Sequence, residues 1–454
     1  MHKTTRSIIA CLCGLFLAGH LANAVIYPTR SKGSTMVRIH EQQLMPETNG
    51  SQTGGPGHVT AKYADLIQKA IVYKQQYPGE TVEIRFAMYI MSYSVYIGYN
   101  PAHESYMRVS NTDFGGAHSE KLINSFCRAA QAGVIVKMIL HKSGETGVDL
   151  SVMTNYLDTN GGPNLQYRVV NWGSISDNQM HNKFLLVNKT RAGSSNYHSI
   201  VYVTSANIDE WRAWGPKSSQ NKAQTGVLLY QNSGVYNAYK NYFDNGLWPH
   251  AADTSPTAFR ATMASLHAAG LNYPEDADGI SAYFYPVSDS QFWHVNYNPS
   301  AKIFNTINTN SAVTAPYIKC NMGYMRFHVN AYDFAARYMD AVRTMASVHN
   351  INLASSSVAN AMFVVMNDDN DGDDYAPIAS NRLSLNQPSH SKNYMFAFNL
   401  SGTAYMYSAG GSTNGAFNDY TRKANNIIMI RELTAANREV YQDFYDIFYY
   451  AFNY

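Results

Sequence analysis

Met180-His181-Asn182-Lys183-Phe184-Leu185-Leu186-Val187 decides how this chain is read. A run of apolar residues follows a polar triplet, as in a buried strand whose first residues reach the rim of a sheet. His181 and Lys183 stand two positions apart, so along a strand they point to the same side. A second apolar run, 200–204, ends in Thr204-Ser205-Ala206-Asn207. The same order returns later. His390-Ser391-Lys392 runs into Asn393-Tyr394-Met395-Phe396, and Gly411-Ser412-Thr413-Asn414 follows. The two histidines are 209 residues apart. A lone His-x-Lys or Ser-x-Asn is common surface sequence. Both together, in the same order and twice, carry information.

Outward from these motifs the chain alternates. In the first half, residues 61–76 and 119–132 read as helices, and 81–91, 134–140, 184–187, 200–204 and 226–230 as strands. In the second half, 300–309 and 331–347 read as helices, and 314–322, 361–366, 394–398, 404–407 and 427–430 as strands. Residues 31–60, rich in Gly, Ser and Thr, read as loop. Helices alternating with apolar strands predict an α/β layered fold, here with an internal duplication of about 200 residues. A junction at 248–256 divides the chain into repeats 25–255 and 256–454.

The composition bounds the class. With 35 Tyr, 19 Phe and 5 Trp in 454 residues, the chain has too much core-forming surface for a disordered protein. Its 30 Gly, 15 Pro and 4 Cys exclude collagen-like and disulfide-scaffold classes. Lys3 and Arg6, an apolar run at 8–19 and Ala22-Asn23-Ala24 form the pattern of a secretory signal peptide, residues 1–24. The expected destination is the periplasm or the medium; an uncleaved anchor is the other reading. Loss of residues 1–24 leaves 32 basic against 32 acidic residues, which argues against avid non-specific nucleic-acid binding through net charge. It also leaves two cysteines, Cys127 and Cys320, as either one disulfide or two buried thiols.

Brought together, the two halves place His181, His390, Lys183, Lys392, Asn207 and Asn414 in one pocket. That set suits a phosphoryl group. Lys and Asn donors hold the non-bridging oxygens as charge builds. One imidazole attacks phosphorus, and the other protonates the leaving oxygen. Repeat symmetry alone leaves open which histidine does which.

In "MHNKFLLVN" and "GGSTN" the sequence resembles the phospholipase D superfamily, whose motif is His-x-Lys, four residues, Asp, and later Gly-Ser/Gly-x-Asn. The resemblance covers most of the chain as two repeats. It implies two similar phospholipase D-like α/β repeats in a pseudo-dimeric layered sandwich, with the active site at the seam. It implies a phosphohistidine mechanism without metal or other cofactor: His181 as nucleophile, His390 as general acid and then base, and Lys183, Lys392, Asn207 and Asn414 on the phosphate. Ser205 and Ser412 are lesser substrate-binding candidates. The chain departs from the motif at its Asp, which falls at Asn188 and Ala397. It departs also at the downstream acids that orient each histidine in the family. Gln224 and the pair Asn425-Asn426 stand there, which makes Gln224 and Asn426 weaker site candidates and leaves a degenerate, binding-only member as one reading. The implied substrate is a phospholipid or membrane surface, with transfer to an alcohol as a side reaction. The alternative is single-stranded nucleic acid, because "TSANIDEWRAW…KAQTGVLLY" resembles lumenal members that include exonucleases. A monomer with no obligate protein partner is expected.

Weaker signals complete the reading. The run Asn367-Asp368-Asp369-Asn370-Asp371-Gly372-Asp373-Asp374 resembles the start of a calcium loop, but its twelfth position is Ile378 instead of Glu. A solvated acidic loop is the alternative. Asn49, Asn188 and Asn399 lie in glycosylation sequons. His141 ends a strand and is read either as a satisfied loop residue or as part of a cleft mouth. His118 and His328 have no pattern around them.

Overall fold

The computed structural model describes residues 25–42, 59–100, 105–109, 119–143, 150–173, 178–208, 224–323, 325, 334–355, 360–365, 378–385, 389–434 and 436–453. The signal-peptide segment, Asn49, His118, His328, the acidic run 367–374 and the stretch 209–223 lie outside them.

Two sheets carry the fold. In the first, strand Lys183–Ala192 lies antiparallel between Glu83–Met91 and Ser195–Thr204. Gln224–Tyr230 and Thr35–Gln42 extend one side, and Ile135–Ser143 and Leu165–Val169 the other. In the second, Lys392–Leu400 lies antiparallel between Val313–Met322 and Thr403–Gly411. Asn425–Arg431 and Ile280–Tyr285 extend one side, and Ala361–Val365 and Leu383–Leu385 the other. The strand orders match position for position. Each sheet contains two parallel pairs, and the inner one is bridged by a helix, Leu122–Gln131 in the first and Phe334–Val348 in the second, as a parallel crossover requires. This is the α/β duplication that the repeated motifs predict.

Period-two alternation sorts the strand residues into layers. Phe184 and Leu186 face a central core shared with Phe284, Met395 and Ile428 of the second sheet. Helices Ser233–Asn241 and Glu439–Asn453 lie between the sheets there, contributing Tyr239, Phe444 and Phe448. Leu185 and Val187 face outward against helices Val59–Gln76 and Leu122–Gln131. Tyr394 and Phe396 face outward against Pro299–Thr309 and Phe334–Val348. The result is helix, sheet, helix, sheet, helix. Each large side chain buried in these cores stabilises the fold by about 1.5–3 kcal/mol.

One expectation needs correction. Residues 31–60 are not one loop: Arg30–Lys32 and Thr35–Gln42 are strands, and helix Val59–Gln76 begins before 61. Val37 and Ile39 enter the central core, but the alternation is short and its neighbours are turn-forming residues. Within the junction 248–256 only Trp248–His250 is helical; residues 251–256 are turns and bends, and helix Thr257–Ala268 follows. Cys127 and Cys320 are free, buried thiols in the two opposite outer cores. Burial pushes the Cys127 thiol up to about 11.

Candidate active site

The two motifs meet where the sheets face each other. The His181 N–H donates to Ala424 O at 2.8 Å and the Ala424 N–H to Gln179 O at 2.9 Å, so the start of one repeat's motif strand lies alongside the other repeat. On the matching side, Thr225 Oγ1 and Ser391 Oγ are 3.0 Å apart, and Asn393 Nδ2 donates to Thr225 Oγ1 at 2.9 Å.

Each histidine is held by the opposite repeat. His181 Nδ1 is 2.9 Å from Ser412 O and 3.0 Å from Asn425 Oδ1. His390 Nδ1 is 3.0 Å from Gln224 Oε1. Carbonyl oxygens only accept, so each Nδ1 carries a proton and Nε2 is the ring nitrogen left for chemistry. A serine fixes each amide: Ser205 Oγ donates to Gln224 Oε1 at 2.8 Å, and Ser412 Oγ to Asn425 Oδ1 at 3.1 Å. The lysines repeat the symmetry. Lys183 Nζ donates to His181 O at 3.0 Å, and Lys392 Nζ to His390 O at 2.7 Å. Both lysines are buried, as are Asn207 and Asn414 just past the neighbouring strands.

The weaker candidates sort themselves by this geometry. Ser205 bonds to Gln224, which bonds to His390, and Ser412 bonds to Asn425, which bonds to His181, so these side chains stand behind the histidines. Asn426 is misplaced in the sequence reading. Adjacent strand residues point to opposite faces, so Asn425 reaches His181 while Asn426 faces the central layer. There Asn426 Nδ2 donates to Asn182 Oδ1 at 2.7 Å, and Asn426 Oδ1 accepts from Tyr239 OH at 2.9 Å. The two positions of the motif Asp are engaged elsewhere. Asn188 accepts from the Glu83 N–H at 2.8 Å and donates to Thr81 O at 3.1 Å, and Ala397 sits in the central core.

Sequence reasoning missed two neighbours, Tyr89 and Asp419, and left His141 open. The Tyr89 ring lies between His181 and His141, with centroids 4.9 Å and 5.3 Å away, and Lys183 Nζ is 5.2 Å from it. His141 Nδ1 accepts from the Met180 N–H at 3.0 Å, fixing the residue before His181. Asp419, fully buried in the short helix Phe417–Thr421, has its carboxylate 3.9 Å from His181 Nδ1. An acid five residues beyond Asn414 was the available signal for it.

Burial first, and then Lys183, Lys423, Lys392 and His390, hold His181 well below the usual imidazole range. Burial lowers His141 to about 4. Burial, with Asp419 next, raises Tyr89 to about 12. Among the described residues no three His, Cys, Asp or Glu side chains converge to hold a metal ion, and no helix is long and apolar enough to cross a membrane. A neutral imidazole with a free Nε2, flanked by ammonium and amide donors, can attack a phosphorus centre.

Strand register makes Gly323 the counterpart of Tyr89: Lys183 pairs with Met88, and Lys392 with Met322. A Cβ on Gly323 would lie 2.9 Å from His390 Cα. Gly323→Ala is expected to displace His390 and lower turnover of a phosphodiester by about 10–100-fold while circular dichroism stays native.

Two helix-flanked sheets with paired His-x-Lys motifs at their seam define a phosphoryl-transfer class of α/β protein. Residues 100–248 match the family model described as cardiolipin synthase, PLD-like domain. That stretch holds the first motif, and the match bears out the resemblance: residues 100–248 are a phospholipase D-like domain. No curated protein matches the chain. Among solved structures, a polyphosphate kinase from Porphyromonas gingivalis is similar at 12% identity and a TM-score of 0.47, over 87% of this chain and 49% of that one. The chain thus spans about half the length of that kinase. A phosphatidylserine synthase from Haemophilus influenzae Rd KW20 is similar at 10% identity and 0.47, over 94% of this chain and 88% of that one. Nuc from Salmonella typhimurium, a phospholipase D family member, is similar at 15% identity and 0.27, over 48% of this chain and 95% of that one.

Proposed function

We propose that this protein is an exported phosphodiesterase of phospholipase D type that hydrolyses a phospholipid head-group ester through a phosphohistidine. The observation that carries the reading is the crossed pair: each repeat's histidine is held at Nδ1 by the other repeat's amide, beside its own lysine. His181 Nε2 attacks phosphorus, forming an N–P bond as the P–O bond to the leaving group breaks. His390, protonated on both ring nitrogens at this step, gives that oxygen the proton on its Nε2. Water then attacks phosphorus, passes a proton to His390 and returns Nε2 to its starting state. Lys183, Lys392, Asn207 and Asn414 take the non-bridging oxygens, and neither metal nor other cofactor is needed. Formal neutrality after loss of residues 1–24 favours lipid over nucleic acid. Single-stranded nucleic acid is the second reading, favoured by the Tyr89 ring beside His181 and Lys183, a surface on which a base can stack.

The deciding experiment offers phosphatidylcholine vesicles and a labelled single-stranded oligonucleotide in parallel, with chelator present. Head-group release, and transfer to added ethanol, establishes the lipid reading. Shortening of the oligonucleotide alone establishes the second. Cleavage of neither between pH 4 and 9 would leave a binding-only protein. Export is checked by N-terminal sequencing of the secreted chain.

The pH profile is a further expected result. The nucleophile works unprotonated, and the depressed His181 pKa keeps it so as pH falls past the ordinary imidazole value. The acid limb of kcat/KM is therefore expected well below pH 6.5. A limb at or above pH 6.5 would contradict His181 as the attacking base.

A further inference from the structure

Behind Asn425 stands a charge that the motif does not supply. Asn425 Nδ2 donates to Asp419 O at 2.9 Å and to its carboxylate Oδ1 at 3.1 Å. The same carboxylate lies 3.9 Å from His181 Nδ1, receives Asn414 Nδ2 at 3.4 Å and has Lys423 Nζ 3.5 Å from Oδ2. A fully buried carboxylate is costly unless several donors meet it, and here the donors include groups of the candidate machinery. We propose that Asp419 is a positioning residue that supplies His181, through the Asn425 amide, with the negative charge that an acid at position 425 would have given directly. This rests on the phosphodiesterase reading above.

The argument is electrostatic. As His181 Nε2 forms its bond to phosphorus, the ring keeps its Nδ1 proton and gains positive charge, while the leaving oxygen takes the electron pair of the broken P–O bond. The charged groups around the ring are Lys183, Lys392, Lys423 and His390 against Asp419; Tyr89 and His141 complete the wall. Most of that surrounding charge is positive and opposes the new charge. Asp419 opposes the opposition: its oxygen polarises the Asn425 N–H, which strengthens the Asn425 carbonyl as acceptor for Nδ1–H. Asp419 is neither proton donor nor proton acceptor in this step. It also orients Asn414, so attacking group and phosphate donor share one anchor.

The test uses the full chain and bis(p-nitrophenyl) phosphate. Asp419→Asn is expected to lower kcat about 10–100-fold with KM within about twofold, and to move the acid limb of kcat/KM to lower pH. The exchange variant, Asp419→Asn with Asn425→Asp, puts the carboxylate directly on Nδ1. It is expected to recover most of kcat and to move the acid limb above its wild-type position. A structural role alone would leave the limb in place. Folded Asp419→Asn with wild-type kcat and an unmoved limb overturns the proposal, as does an exchange variant no better than the single one. If Asp419→Asn does not fold, Asn425→Ala cuts the same relay and is expected to show the same loss; wild-type kcat there overturns the proposal equally. Wild-type protein inert towards the probe would instead defeat the phosphodiesterase reading, and the relay with it.

Discussion

His181→Ala is expected to reduce hydrolysis of bis(p-nitrophenyl) phosphate by at least about 10³-fold, because it removes the atom that bonds to phosphorus. His390→Ala is expected to look different with this probe. p-Nitrophenolate leaves without a proton, so the first step survives and one equivalent is released in a burst. The intermediate then persists, since nothing activates the water. Intact-mass measurement under mildly alkaline conditions is expected to find the adduct on His390→Ala protein and none on the double variant. An adduct on His181→Ala protein instead would exchange the two roles. The reason to expect His181 as nucleophile is its surroundings: Nδ1–H faces two acceptor oxygens, and burial beside three lysines keeps Nε2 unprotonated.

The duplication was legible because strand chemistry is local. Phe184 to Val187 and Tyr394 to Phe398 are apolar on both faces, as strands between two helix layers must be. The His and Lys positions were legible for the same reason, since period two puts them on one face. What the sequence hid depends on contacts between distant segments. The resemblance puts Gln224 and Asn425-Asn426 at histidine-orienting positions, but nothing local says that Gln224 serves His390, 166 residues away, or that Asn425 serves His181 across 244. Choosing Asn426 over Asn425 was a one-residue register error, which in a strand exchanges core for site. Strand Thr35–Gln42 was hidden because its partner, Gln224–Tyr230, is remote in sequence and its flanks read as turns. Tyr89 and His141 carry no motif and become neighbours of the site only through the alignment of Glu83–Met91 with Ile135–Ser143.

Because each histidine depends on the other repeat, the repeats must keep a fixed offset, and the largest stability effect is expected where they are tied. Lys32, in the early strand Arg30–Lys32, pairs with Glu432 just past Asn425–Arg431; both side chains are at most 5% exposed. Glu432 Oε1 also accepts the Tyr441 N–H at 2.7 Å, which seats the helix Glu439–Asn453 between the sheets. Arg30 adds a second tie to Asp443 of that helix at 2.9 Å. Glu432→Gln keeps the shape and an acceptor for Tyr441 but leaves the Lys32 ammonium buried without its counter-charge. Breaking one partner of a buried pair costs about 3–5 kcal/mol. Urea unfolding is expected to show a loss of that size for Glu432→Gln. The double variant with Lys32→Met is expected to regain much of it, since the stranded charge is then gone. A loss under about 1 kcal/mol would mean that water reaches the pair. Activity carries a second signature. On warming, Glu432→Gln protein is expected to lose turnover ahead of its far-ultraviolet signal, because the Gln224–His390 and Asn425–His181 contacts separate when the repeats slip, before either sheet melts.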